Sequence, residues 1–297
     1  MKLPPILTFL FIVLAFCTHA NGAIFHFEGF ESGESVPGFS GSSYGSIYGN
    51  PSYSIQGAEK ASGSYALMHR FEAGQNGSYA TMLFGDSPES LDSNNSSYQD
   101  IYIQFKLRYS PGYDFSAGNN KIVIIGTQDD VRHDNVCCNP WVANYITLHA
   151  GNSGSSGYFN VEGNNKKAAT GQWFPLSPNI SGYSVSNRYT IETGRWYTME
   201  IHISLNAGSQ PTGVFEMWID GQKISYYDQV LYRVPKEGDF GTNTAFGINF
   251  VMLSHYLNSG APQDQAMYYD DIILSTSYIG ERRPSSPLNL RLMLSRY

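Results

Sequence analysis

The chain has 297 residues, a formal net charge of -7 at pH 7 and only 14% charged residues. Mild acidity argues against a nucleic-acid-binding protein, which carries a basic patch or stripe. It also gives an acidic polymer no global attraction, so binding to one requires a local basic cleft.

Met1-Lys2 and the uncharged apolar run over 6–16 read as an export signal, with Ala20-Asn21-Gly22 as a small-x-small cleavage site before Ala23. The run is shorter than the roughly 20 residues a bilayer span needs, so no membrane span is expected. The mature protein is expected to be secreted or periplasmic. Cys17 leaves with the signal, and bulky Phe16 stands where a lipoprotein site wants a small residue.

Residues 23–280 have the length of one large all-β domain. Glycine and serine recur too often for a long helix, and no heptad or repeat is present. Residues 23–30 alternate as an opening strand, followed by a loop-rich stretch. Strands are expected over 54–72 and 79–84. Over 101–109, Ile101, Ile103, Phe105, Leu107 and Tyr109 face one way and Tyr102, Gln104, Lys106 and Arg108 the other, the period-two mark of a strand with one buried face. Lys121 opens an apolar run to 126. Residues 145–150 put Tyr145, Thr147 and His149 on one face. Residues 151–190, rich in Gly, Asn and Ser, read mostly as a long loop of the functional or disordered kind. Two strands over 197–205 and 214–220 follow, and Asp220-Gly221 is a tight-turn dipeptide leading to Lys223. The last strands fall at 246–256 and 268–275. Residues 281–297 form a tail in which Leu288, Leu290, Leu292 and Leu294 alternate, either an added strand or a flexible end.

Cys137 and Cys138 are adjacent. Their Cα atoms stand about 3.8 Å apart across a trans peptide, below the usual disulfide range, while export favours oxidation. A strained bridge and two free thiols both remain open, and the spacing excludes a Cys-x-x-Cys metal site.

Three segments carry a resemblance: GRWYTMEIHIS with its partner EMWIDGQK, KLRYSPGYDF with NNKIVIIG, and YYDDIILSTSYIG. They resemble the concanavalin A-like jelly rolls, and within these the secreted polysaccharide lyases of alginate, glucuronan and heparin lyase type. The resemblance implies a two-sheet antiparallel β-sandwich with adjacent termini, monomeric, and a concave sheet presenting a polar face to a glycan. It implies metal-independent β-elimination on an acidic polysaccharide. That chemistry needs a cation to offset the uronate, a base for the C5 proton and an acid for the leaving oxygen. Lys121 and Arg108 suit the first role, His149 or His255 the second, Tyr145 or Tyr256 the third. Lys106, Tyr102, Gln104, Arg132 and His133 would bind substrate, and His202 lies on a similar polar face. Only Lys121 matches the family residue by residue; the Arg-rich and Tyr-Phe-Lys signatures of familiar alginate lyases are missing.

Related jelly rolls hold a structural Ca²⁺, and here Glu28 and Asp270 take the ligand places, with Glu31 and Asp271 beside them; hard cations of this kind take oxygen ligands. No strand carries the close carboxylate pair that a glycoside hydrolase requires. A non-catalytic carbohydrate-binding module or lectin using the same groove is the alternative, and a structural matrix protein a third, since one fold hosts all three. Each polar side chain taken singly is also read as part of a solvated strand face.

Overall fold

The structure is a computed structural model that describes residues 24–31, 53–77, 79–87, 96–118, 120–128, 142–153, 156–166, 173–175, 189–208, 210–232, 246–254, 257 and 259–280. The export signal, Arg132, His133, Cys137, Cys138, His255, Tyr256 and the tail beyond Gly280 lie outside the described residues.

The described residues form strands and turns, and no helix. The first sheet runs, in spatial order, β13 (Gln222–Val230), β12 (Gly213–Ile219), β11 (Trp196–Ser204), β5 (Asp100–Tyr109), β15 (Gln265–Ser275), β3 (Ala66–Phe71) and β2 (Tyr53–Gln56), with β1 (Ile24–Glu28) also on β15. The second runs β10 (Thr190–Ile191), β8 (Ser156–Lys166), β7 (Val142–Ser153), β6 (Asn120–Gln128), β14 (Phe250–Ser254) and β4 (Tyr79–Leu83), with β9 (Trp173–Pro175) on β8. All pairings are antiparallel. This is the all-β sandwich of the jelly-roll type expected from the alternating segments. The opening and closing strands pair, Glu28 opposite Ile272 and Ile24 opposite Ser275.

Alternation explains the core. Ile101, Ile103, Phe105, Leu107 and Tyr109 of β5 meet Val123 and Ile125 of β6, Leu148 and Ala150 of β7, and Val251 and Leu253 of β14 in one buried cluster. Burying each such side chain contributes roughly 1.5–3 kcal/mol. Hydrogen bonds and rings cross between the layers as well: the Tyr269 hydroxyl donates to the Ile122 carbonyl at 2.8 Å, and Tyr197 meets Phe159 edge-on at 5.3 Å.

The expectation that 151–190 is mostly loop is corrected where the range is described, at 151–153, 156–166 and 173–175. β7 continues to Ser153 and returns as β8, with Gly151 opposite Tyr158 and Asn152 opposite Gly157. The glycines that read as loop are strand residues chosen for closeness. A Cβ on Gly151 would lie 2.6 Å from the Tyr158 ring, and one on Gly157 2.7 Å from the ring of Phe115. Phe115 is fully buried and packs against Tyr109 and Tyr113, so it cannot yield. Gly157→Ala should therefore cost about 1–3 kcal/mol, the range for overpacking. The check is a lower urea midpoint with an unchanged denaturant slope.

Candidate functional site

The sandwich has two outer faces, and the sequence-predicted site residues divide between them. On β6 and β7, Lys121 pairs in register with His149. Ile122 beside Lys121, and Leu148 and Ala150 on either side of His149, point into the core, and the ladder is irregular between Lys121 and Val123, so Lys121 and His149 face outward on the second sheet. Tyr145 pairs with Gly126 and Asn164; its even spacing from His149 puts position 145 on the same face. Lys121 is half-buried, whereas His149 is 2% exposed. Ile124, Phe250 and Met252 are buried outside the main core cluster, so this face is not the open polar surface that alternation suggested. His255 and Tyr256 lie outside the described residues, but their flanks do not. Leu253 pairs with Val123 and Leu257 bridges Asn120, on either side of Lys121.

Tyr102, Gln104, Lys106 and Arg108 alternate with core residues of β5 and face outward on the first sheet. The core and both sheets, whose layers pack about 10 Å apart in such sandwiches, separate them from Lys121 and His149. The shared site of Arg108 with Lys121, and the substrate role of Lys106, Tyr102 and Gln104 beside it, are corrected on that ground. The reason is topological: β5 and β6 are consecutive in the chain yet belong to opposite sheets.

On the first sheet's outer face these side chains hold the fold. Arg108 pairs with Glu59, donates to the Gly194 carbonyl at 2.9 Å and lies over the Tyr268 ring. Lys106 donates to the Thr198 hydroxyl. The Gln104 amide donates to Glu200 and to the Gly280 carbonyl, while Glu200 accepts the N–H groups of Ile279 and Gly280. Burial pushes the Glu200 carboxyl up despite these bonds. Burial likewise pushes the Tyr102 hydroxyl up to about 12, with Asp100, Glu216 and Glu200 adding repulsion.

Sequence reasoning named His202 on this face but passed over its neighbours Glu200, Glu216, Trp218 and Tyr278. His202 stacks on Tyr102 at 4.1 Å and is held between Glu216 at its Nδ1 and Asp100 at its Nε2. Trp218 lies 5.2 Å from Tyr278, and Lys223 sits over Trp218 and Tyr226. The signal was available: Glu200, His202, Glu216 and Trp218 share the outward parity of β11 and β12, and the Asp220-Gly221 turn folds Lys223 back on Trp218.

The four acidic residues named from sequence gather at one seam. Asp270 accepts the N–H groups of Ala61, Ser62 and Asp271, Asp271 accepts the Ser62 hydroxyl, Glu31 accepts the N–H of Ser64, and Glu28 accepts that of Phe30. Burial pushes Glu28 up to about 7 against the Phe30 hydrogen bond, and Asp270 and Glu31 add to the rise. Burial, with Asp271 adding to it, pushes Asp270 up to about 7. Carboxylate oxygens are the donor type a hard cation such as Ca²⁺ takes, and Glu28 and Asp270 supply that type here. Among the described residues no group of three or more His, Cys, Asp or Glu could hold a metal ion, so backbone carbonyls would have to complete the shell.

The two antiparallel sheets define a jelly-roll sandwich, and the sequence assigns the chain to a family within that fold. Residues 35–273 match the family model described as polysaccharide lyase, and the chain belongs to that family. No curated protein matches the sequence. Among solved structures, the endo-beta-1,4-glucuronan lyase from the fungus Trichoderma reesei is similar, with TM-score 0.54 and 14% identity over 86% of this chain and 96% of that one. The marine alginate lyase from Aplysia kurodai is similar with TM-score 0.55 and 12% identity, over 85% of this chain and 98% of that one. At such identities the likeness shows the fold.

The His202 network generates a pH prediction. Its hydrogen bonds to Asp100 and Glu216 raise the His202 pKa against the opposing effect of burial, and the pKa values of both carboxylates are lowered. A raised histidine contributes stability that is full below its unfolded value, near 6.5, and is lost as pH rises through the folded one. The lowered carboxylates contribute above their unfolded values, near 4, and lose it as pH falls through the folded ones. The stability difference between wild type and His202→Gln should therefore peak at about pH 5–6 and shrink on both sides. Urea melts across that range check it.

Proposed function

We propose that the chain, exported after cleavage near Gly22, degrades an acidic polysaccharide by β-elimination on the outer face of the second sheet. The observation that carries the reading is the register pair Lys121–His149, with position 145 two steps along the same strand face. Lys121 offsets the uronate carboxylate, which lowers the barrier to removing the C5 proton. His149 takes that proton, or His255, whose flanking residues bracket Lys121. Tyr145 or Tyr256 returns a proton to the leaving oxygen. The C4–O bond breaks as the C4–C5 double bond forms, so the product absorbs in the ultraviolet. Membership of the polysaccharide lyase family supports the reaction class.

Purified protein incubated with glucuronan, alginate and other uronate polymers should generate that absorbance. Lys121→Ala should lower the turnover number by roughly 10²–10³, the size of losing one charge-stabilising group. His149→Ala should lower it by about 10²–10⁴, as for a general base. Arg108→Ala, on the far side of the sandwich, should leave the rate of the folded protein unchanged. An unaltered rate in Lys121→Ala, or no product from any acidic polymer, defeats the proposal; retention on the polymer without product would instead identify a binding module.

Where Ca²⁺ is bound, its role in this reading is to stabilise the seam through Glu28 and Asp270. A chelator should lower the melting temperature, because a ligand of the native state alone stabilises it, and should leave the ultraviolet product signal intact at a temperature where the fold persists.

A further inference from the structure

Three large apolar side chains are exposed among the described residues: Tyr65, Tyr226 and Tyr278. Two of them share the outer face of the first sheet, on either side of one lysine–tryptophan pair. Tyr278 is 45% exposed and packs on Trp218 with ring centroids 5.2 Å apart. Tyr226 is 54% exposed and lies 5.6 Å from the Lys223 ammonium, which itself sits 4.9 Å from the Trp218 ring. The rings are carried on rigid elements: β12 and β13 for Trp218, Lys223 and Tyr226, and for Tyr278 the 276–280 segment, fastened by Glu200 through Ile279 and Gly280. Exposed aromatic rings held beside fixed polar groups are the pattern of a binding surface, not of a solvated strand.

We propose that this face is a second glycan-binding surface, for a neutral polysaccharide, on the opposite side of the sandwich from Lys121 and His149. Pyranose faces stack on Tyr226 and Tyr278, and sugar hydroxyls bond to the Asp100 carboxylate and the Lys223 ammonium. The charge pattern selects a neutral chain. Glu216 is shared by Lys223 at 2.5 Å and His202 at 2.7 Å, and Asp100 binds the other side of the same imidazole at 3.0 Å. Two carboxylates thus stand against one ammonium and one imidazole, leaving no surplus of positive charge. A polyanion would meet the Asp100 side chain, 52% exposed, whereas neutral hydroxyls use the same groups as charge-assisted hydrogen-bond partners. The proposal rests on the chain acting on polysaccharides and not on which residues perform the elimination.

The test is retention of the full chain on cellulose, xylan, mannan and laminarin, by pull-down or affinity gel electrophoresis, with glucuronan and alginate as acidic comparators. Wild type should bind at least one neutral polymer. Tyr226→Ala and Tyr278→Ala should each weaken that binding roughly tenfold, as expected for a stacked ring. Tyr226→Phe and Tyr278→Phe, which keep the rings, should bind as wild type. Product formation from a soluble acidic polymer should be unchanged in all four, so the outcome is read independently of the lyase assay. Absence of retention on every neutral polymer, retention confined to acidic ones, or Ala variants that bind like wild type would each overturn the proposal.

Discussion

One strand in this fold serves two neighbours on the same side, and the seam between them sets the geometry around it. β15 pairs with β5 along one edge; along the other it pairs first with β3, from Gln265 to Tyr269, and then with β1, from Ile272 to Ser275. Where the partner changes, β15 carries an extra residue: Asp270 is opposite Lys106 and Ile273 opposite Gln104. Asp271 takes a left-handed backbone, with φ of 47°, a conformation that Asp tolerates better than most residues. The extra residue switches parity, so that Met267 and Tyr269 before it and Ile272 and Leu274 after it all reach the core. Without it, one half of the strand would present its apolar side chains to solvent. The carboxylates then bind the N–H groups of the 61–64 loop that enters β3. The same constraint that fixes the register thus gathers Glu28, Asp270 and Asp271 as buried carboxyl groups at one seam.

The sandwich also decides which polar residues can act together. Alternation in sequence separates an inward from an outward face, but a two-layer protein has two outward faces. Arg108 alternates with core residues and Lys121 opens an apolar strand, and the sequence alone puts both cations in one groove. The chain crosses from the first sheet to the second between them, through Tyr113 and Phe115, both buried. That crossing is a long-range pairing choice: β5 selects β11 and β15, and β6 selects β7 and β14. Nothing within either strand encodes it.

What was legible followed from side-chain periodicity and turn chemistry. The faces of β5, β11 and β12 and the Asp220-Gly221 turn emerge from alternation and from residues that tolerate unusual backbone, whereas the meeting of first and last strands followed from the resemblance to jelly rolls. Asp220 and Gly221 indeed have positive φ, 50° and 77°. The β7–β8 hairpin was hidden because its glycines serve packing against rings that come from elsewhere: Phe115 over Gly157 depends on the 113–115 turn, which is distant in sequence. Within the candidate site, strict parity would group Lys121 with the core residues Val123 and Ile125; the irregularity that sets it outward beside His149, the burial of His149 and the apolar surroundings of Ile124 and Met252 depend on tertiary structure that no strand pattern reports.

Polar side chains on a strand's outer face consequently divide by what they bind. On the first sheet, Arg108, Lys106, Gln104 and Glu200 all have partners within the protein, several of them backbone groups of turns. Removing Gln104 or Glu200 leaves a buried partner unsatisfied, a cost of about 1–3 kcal/mol for neutral groups and more for charged ones. Such losses lower the fraction of folded protein and can masquerade as lost activity. A residue that stabilises charge in the transition state behaves differently, because its removal slows the folded enzyme at saturating substrate. For this chain the distinction is spatial as well as kinetic. With the proposed assignments, substitutions on the first sheet's outer face act through stability or glycan retention, and those around Lys121 through turnover, because the core that joins the two faces also keeps their side chains apart.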